Sequence, residues 1–334
     1  GLLIALAKAT DFNSFYPLIF LVSMFFMPTI GLNRSISFGT LESRQMDIIK
    51  VFPPIRVWGT VGFILAAWLV DFLEIGITPN QFYVSAGASF TLGVYAFTLP
   101  RVGIQESSEK KTFVESLGLN AFALFKKKKI AIFLIFSMLL GCVLQISNMW
   151  GDGFLQDFRG EYPDSFVVKH SLVFISLSMV SEALFILAIP FFLKKFGIKK
   201  VMLLSMLAWV LRFAFFGIGD PGSGFIFLTL SMIIYGMAFD FFNISGSMFM
   251  AKESSPSIRS SAQGLFMLMT NGLGAIIGAY GSGYIVDLYT GADGMKDWST
   301  IWYIFALYAL IVTIAFALVF KYKHDPEELG AVKH

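Results

Sequence analysis

The sequence predicts an all-α protein that crosses a membrane many times. Three observations carry that expectation. Of 334 residues, 56% are hydrophobic and 14% charged. Mean hydropathy is +0.73, more apolar side chain than a soluble domain of this size can bury. The 38 Phe, 30 Gly and 15 Met gather in long apolar runs with short charged clusters between them, the spacing of polytopic helical membrane proteins. Soluble enzymes, nucleic-acid-binding proteins and disulfide scaffolds are excluded. Cys142, the single cysteine, lies inside an apolar run and can form no internal disulfide.

A bilayer core of roughly 30 Å takes about 20 apolar residues per helix. That length places spans at about 14–32, 51–70, 81–99, 130–150, 169–193, 201–218, 224–250, 260–287 and 300–320. The second span needs an extension, because the run Trp58–Val70 is too short to cross alone. It recruits Phe52-Pro-Pro-Ile55 and so draws Arg56 below the interface. Residues 1–7, Gly-Leu-Leu-Ile-Ala-Leu-Ala, read as the tail of another helix. With three spans before the long connection at 100–129 and six after it, two matched halves require a further N-terminal segment of roughly 80 residues.

The basic residues set the orientation. Nineteen of the 25 Lys and Arg fall in one set of alternating connections, including Lys126–Lys129, Lys194, Lys195, Lys199, Lys200, Lys252 and Arg259. The opposite set holds Lys8, Arg159, Lys169 and Lys296 among many acids. The positive-inside bias therefore predicts a cytoplasmic C-terminus. The chain divides into an N-terminal bundle remainder at 1–99, a cytoplasmic linker at 100–129, a C-terminal bundle at 130–321 and a cytoplasmic tail at 322–334.

Charged groups deep in a span cost free energy and face a cavity or a partner. Glu182, Asp240 and Arg56 are such groups, with opposite signs and polar neighbours on matching faces, and they point to a solvated substrate pathway. Arg212 stands alone in its span and reads as structural. Helical spacing puts Arg56, Thr60 and Phe63 on one face, Gln145 and Asn148 on another, and Tyr235 and Phe239 on a third. A wall of amides, a hydroxyl, a carboxylate, a guanidinium and aromatic rings suits a small solute with a ring and several hydroxyls.

The glycines of span 260–287, Gly274 and Gly278 among them, favour close helix packing. Thr270 and Asn271 beside them are candidates to line a cavity. Pro28, Pro53, Pro54 and Pro190 permit kinks. Asn33-x-Ser35 matches a glycosylation sequon but falls on the cytoplasmic side. There is no His-Glu-x-x-His, no Gly-x-Ser-x-Gly and no Cys/His cluster in the sequence, so enzyme chemistry has no visible constellation and no cofactor or metal is expected.

Several segments together resemble the bacterial nucleoside:H⁺ symporter family of the major facilitator superfamily. They are Phe52-Pro-Pro-Ile-Arg-Val-Trp-Gly-Thr-Val-Gly-Phe63, Phe136-Ser-Met-Leu-Leu-Gly141 with Leu144-Gln-Ile-Ser-Asn148, Ser181-Glu-Ala-Leu-Phe-Ile-Leu187, Ala238-Phe-Asp-Phe-Phe-Asn-Ile-Ser-Gly-Ser247 and Ile258-Arg-Ser-Ser-Ala-Gln-Gly264. The resemblance implies a twelve-helix fold of two six-helix bundles, of which this chain holds helices four to twelve and the end of three. It implies a nucleoside site near mid-membrane built by Arg56, Thr60, Phe63, Gln145, Asn148, Glu182, Tyr235 and Phe239, with Asp240 or Glu182 coupling the proton. Met179, one turn before Glu182, departs from a member of that family that carries Gln there. Lys194-Lys-Phe-Gly-Ile-Lys-Lys200 resembles a degenerate copy of the superfamily's basic signature.

The implied activity is proton-driven import of a nucleoside such as uridine or adenosine by a monomer in the inner membrane. No nucleic acid takes part. A carboxylate loads a proton outside, nucleoside follows, and the proton leaves inside with Arg56 as the counter-charge. The same fold also carries sugars, and a non-transporting receptor or channel is the reading from a second class.

Overall fold

The computed structural model describes residues 1–46, 48–76, 78–99, 119–255 and 258–322. Most of the expected linker, the tail beyond 322, and Lys110, Lys111, Lys323 and Lys333 lie outside the described residues. The described residues are almost wholly helical, and the chain separates into two compact units, Gly1–Glu109 and Lys110–His334.

The first unit contains α1 (Leu2–Leu6), α2 (Phe12–Ser43), α3 (Ile48–Phe72) and α4 (Asn80–Ala96). Pro17 and Pro28 both lie inside α2. Asp11 accepts the backbone N–H of Ser14 at the start of α2, which satisfies one of the donors a helix N-terminus leaves unpaired. Phe15 of α2 meets Phe82 of α4 edge to face at 6.2 Å.

The second unit begins with a 3₁₀ helix, Leu119–Lys126, inside the stretch expected as linker. Its Ala121 and Leu124 are buried, so the last part of that connection is packed against the bundle. Then come α5 (Lys128–Asp157), α6 (Ser171–Ile218), α7 (Phe225–Glu253), α8 (Arg259–Met267), a π-helical turn (Leu268–Gly274), α9 (Ala275–Leu288) and α10 (Trp298–Val319). The spans expected at 169–193 and 201–218 form two helices within Ser171–Ile218, separated by a kink at Gly197 (φ 76°, ψ 167°). Only glycine enters that region of backbone space without strain, so the two spans abut with almost no loop between them.

Among the described residues six helical segments are long and apolar enough to cross a membrane, the two halves of α6 being counted together. The core of the second unit is aromatic. Phe133 packs against Phe242, Phe249, Phe266 and Phe320 at 4.7–6.1 Å. Near the opposite helix ends Phe154, Phe216, Trp298 and Trp302 form a second cluster. Polar clips cross between helices where water is excluded, and in a bilayer these replace the missing hydrophobic drive. Trp150 donates to Ser282 at 2.8 Å and Tyr308 to the Leu139 carbonyl at 3.0 Å. An ion pair of Lys129 with Glu253 joins the start of α5 to the end of α7, so these two helices run antiparallel.

Gly278 lies so close to α5 that an added Cβ would sit 2.8 Å from the Cys142 backbone, and Gly274 packs with comparable closeness against Met138 and Gly141. The small-residue spacing of span 260–287 thus serves helix contact, as expected.

Candidate functional site

Each unit holds part of the expected site. In the first, Thr60 is half-buried on α3 and Phe63 is 58% exposed. Arg56 belongs to α3 by its backbone, and its side chain lies outside the described residues.

In the second unit the wall is assembled from α5, α6 and α7. Helix α5 presents Gln145, half-buried, and Asn148, exposed, one turn apart. Among the described residues none hydrogen-bonds either amide, so both keep donors and acceptors for a ligand. Helix α7 supplies Tyr235 and Phe239, whose rings stack 6.0 Å apart at an interplanar angle of 9°. Tyr235 is buried and Phe239 half-buried. A half-buried aromatic ring backed by a second, parallel ring offers a stacking platform for a planar group.

Glu182 of α6 is half-buried and is brought to this platform by a close approach of two backbones. Gly236, the neighbour of Tyr235, has no room for a Cβ: one would stand 2.5 Å from the Ser181 carbonyl carbon and 2.6 Å from the Glu182 nitrogen. Ser181 donates to the Ile233 carbonyl and Ser178 to the Met232 sulfur at 3.1 Å, which secures the same contact. Met179, one turn before Glu182, is half-buried against the apolar core.

Arg212, read as structural from the sequence, binds the wall from behind. Arg212 is 4% exposed. Nε donates to Ser147 at 3.1 Å, and Ser147 lies between Gln145 and Asn148. Nη1 donates to the Ser231 carbonyl at 2.5 Å, and Ser231 returns a hydrogen bond to the Arg212 carbonyl at 3.1 Å. The guanidinium also lies over the rings of Tyr235 at 4.6 Å and Phe216 at 4.9 Å. One side chain of α6 therefore registers the amide face of α5 against the aromatic face of α7.

Asp240 is fully buried in α7, next to Phe239. It does not face the open side of the wall. A small cleft lies beside the wall, lined by Leu144, Phe239, Asn243, Thr270 and Asn271 among others. Thr270 and Asn271 were expected near a cavity, whereas Asn243 was not singled out. Its spacing, eight residues after Tyr235 and four after Phe239, is the signal that would have found it. Among the described residues no group of three His, Cys, Asp or Glu is placed to hold a metal ion.

Residues 1–325 match the family described as Nucleoside H⁺ symporter. The chain is 52% identical over 339 residues to the xanthosine permease of Escherichia coli K12, covering all of this chain and 81% of that protein. It is 49% identical over 321 residues to the nucleoside permease NupG of the same organism, covering 95% of this chain and 77% of the permease. A crystal structure of a point mutant of nucleoside transporter NupG superimposes with a TM-score of 0.90 at 48% identity, covering 96% of this chain and 80% of that one. A second NupG crystal structure gives 0.85 over the same shares.

Proposed function

The chain belongs to the nucleoside H⁺ symporter family, and from that membership we propose that the residues gathered around Tyr235 bind a nucleoside for proton-driven import. It is a multi-pass membrane transporter with the major facilitator fold, as its family and structural neighbours are, and not an enzyme.

One observation supports the site most: the Tyr235–Phe239 stack and the turn of α5 that carries Gln145 and Asn148 are tied together, through Ser147, by a single buried guanidinium, Arg212. In this reading the base stacks on the aromatic pair, and the amides and Glu182 take hydrogen bonds from its edge and from ribose hydroxyls. Arg56, Thr60 and Phe63 contribute from α3. Purine and pyrimidine nucleosides, xanthosine among them, fall within the chemistry of such a wall.

Import against a gradient needs a driving ion, and a carboxylate whose proton affinity changes with its surroundings can carry one. Asp240, fully buried next to Phe239, takes that part, and Glu182 holds substrate. The cycle is alternating access: proton, then nucleoside, then release of both on the lysine-rich side. That side is the cytoplasm by the positive-inside bias, so the C-terminus is cytoplasmic. The protein acts as a monomer in the inner membrane.

The test is uptake of labelled uridine, adenosine and xanthosine by cells carrying the protein. Accumulation above the external concentration, abolished by a protonophore and indifferent to sodium, is expected. Accumulation that persists without a proton gradient and requires sodium would refute the reading.

A further inference from the structure

Asp152 extends the amide face of α5. Gln145, Asn148 and Asp152 stand at i, i+3 and i+7, which a helix of 3.6 residues per turn brings onto one face. Ser147, two residues from Gln145, points the other way, to Arg212. Asp152 therefore lies on the ligand side of α5, half-buried, one turn beyond Asn148 and about 6 Å further along the axis at 1.5 Å per residue. The displacement runs away from the helix end held by Lys129 and Glu253, toward the end where Asp157, Glu161 and Asp164 gather.

The carboxylate is held in place and still has acceptor capacity. One oxygen accepts the Ser171 hydroxyl at 2.7 Å, and the other accepts the Gln156 side-chain amide at 2.7 Å. A carboxylate offers about four lone-pair positions, so each oxygen can accept again. Ser171 is buried and opens α6, eleven residues before Glu182. Eleven residues are about three turns, which puts Ser171 and Glu182 on one face of that helix. The hydrogen bond thus joins the face of α5 that bears the amides to the face of α6 that bears Glu182.

Glycines flank the carboxylate. A Cβ added to Gly151 or to Gly153 would meet nothing within 4 Å. Glycine inside a helix costs stability relative to alanine, and no neighbouring side chain demands it at either position. Bare backbone on both sides leaves Asp152 open to approach.

Depth relates Asp152 to the stacking platform. Arg212 lies over the Tyr235 ring and donates to Ser147, so the ring is level with Ser147. Asp152 lies five residues, about 7.5 Å, beyond that level, and Phe239 lies one turn to the opposite side of it, because α7 runs antiparallel to α5. A nucleoside whose base stacks on Tyr235 and Phe239 spans that distance when its sugar points toward Asp152.

We propose that Asp152 is a specificity-determining residue of the site, which accepts a hydrogen bond from a ribose hydroxyl of the bound nucleoside. This rests on the nucleoside reading above. The amides of Gln145 and Asn148 serve donors and acceptors alike, whereas a carboxylate accepts only and so selects for the hydroxyls of the sugar.

Binding of sugar-deleted analogues tests it. Kd is measured for uridine and for 2′-, 3′- and 5′-deoxyuridine on the full chain in detergent. On the unaltered protein at least one deletion should cost about 10- to 100-fold, the scale of one hydrogen bond to a charged group. In Asp152→Ala the gap between uridine and that analogue should close to within about threefold, while the other analogues keep their ratios to uridine. A variant that is merely less well folded lowers all four affinities together and leaves the gap open. Ser171→Ala removes the tie to α6 and keeps the carboxylate, so the gap should persist. A gap that survives Asp152→Ala would overturn the proposal, and so would a gap that Ser171→Ala closes as fully, which would make Asp152 a strut between α5 and α6. If the unaltered protein binds neither uridine nor xanthosine, the nucleoside reading itself fails.

Discussion

The Arg212 guanidinium carbon lies 4.6 Å from the centroid of the Tyr235 ring, and both groups are buried. A cation over an aromatic face away from water contributes up to about 2 kcal/mol. This contact fixes the ring on which the proposed ligand stacks, and the hydrogen bond from Arg212 to Ser147 carries the same constraint to α5.

Arg212→Lys keeps the charge and discards the planar fork. Lysine cannot serve Ser147 and the Ser231 carbonyl with the same geometry, so at least one charge-assisted hydrogen bond is lost, worth about 1.5–3 kcal/mol. Nucleoside Kd should rise about tenfold or more and the melting temperature in detergent should fall. A lower melting temperature with unchanged Kd would make Arg212 a brace of the bundle alone.

Gln145→Ala, Asn148→Ala and Glu182→Ala should each weaken binding by about 1–3 kcal/mol, because each strips a ligand group of its partner in a desolvated site. Cys142→Ser is the control. Its thiol points along the same helix to the Met138 carbonyl at 3.5 Å, one turn from Gln145 and away from the amides. Calorimetric titration with uridine checks the four variants. A control that loses as much affinity as the others would mark a helix-packing surface and not a binding wall.

Gly236→Ala tests the backbone contact that carries Glu182. The new methyl would meet the backbone of Ser181 and Glu182 at 2.5–2.6 Å. Main chain cannot rotate aside, so α6 and α7 must part. A loss of about 1–3 kcal/mol in stability is expected from overpacking, with weaker binding as Glu182 moves off Tyr235. Gly264→Ala, where a Cβ meets nothing within 4 Å, should be neutral or mildly stabilising. Thermal melts and ligand titrations of the pair separate a steric effect from a general effect of removing helical glycine.

Much of the architecture was legible because bilayer thickness imposes a length on every span, and each of the nine expected apolar runs falls on a helix. The Tyr235–Phe239 pair was legible for a similar reason: four residues along a helix bring two side chains onto one face, and the rings do stack. Three features were not legible. Gly197 breaks the backbone so sharply that the two helices of the spans at 169–193 and 201–218 abut, where the basic residues around it read as a longer connection. Arg212 stood alone in its span, and its partners Ser147, Ser231 and Tyr235 come from tertiary packing that no single helix encodes. The place of Asn243 beside Thr270 and Asn271 depends on a π-helical turn in a different part of the chain, which the sequence of α7 alone does not encode.

The last expectation separates binding from coupling at Asp240. Its carboxylate is fully buried beside Phe239, whereas Glu182 is half-buried on the wall. Asn retains the shape and much of the hydrogen bonding of Asp and cannot take up and release a proton. Asp240→Asn should therefore bind nucleoside within about threefold of the unaltered protein, a difference under about 1 kcal/mol by the affinity relation, and lose concentrative uptake. Exchange of labelled for unlabelled nucleoside across vesicles should survive, because exchange needs only the loaded transporter to reorient. Glu182→Gln should do the reverse, losing affinity first and keeping proton dependence in whatever uptake remains. Uptake, exchange and Kd measured for both variants decide between the two carboxylates. Normal accumulation by Asp240→Asn would move the proton elsewhere, and a swap of the two phenotypes would move it to Glu182.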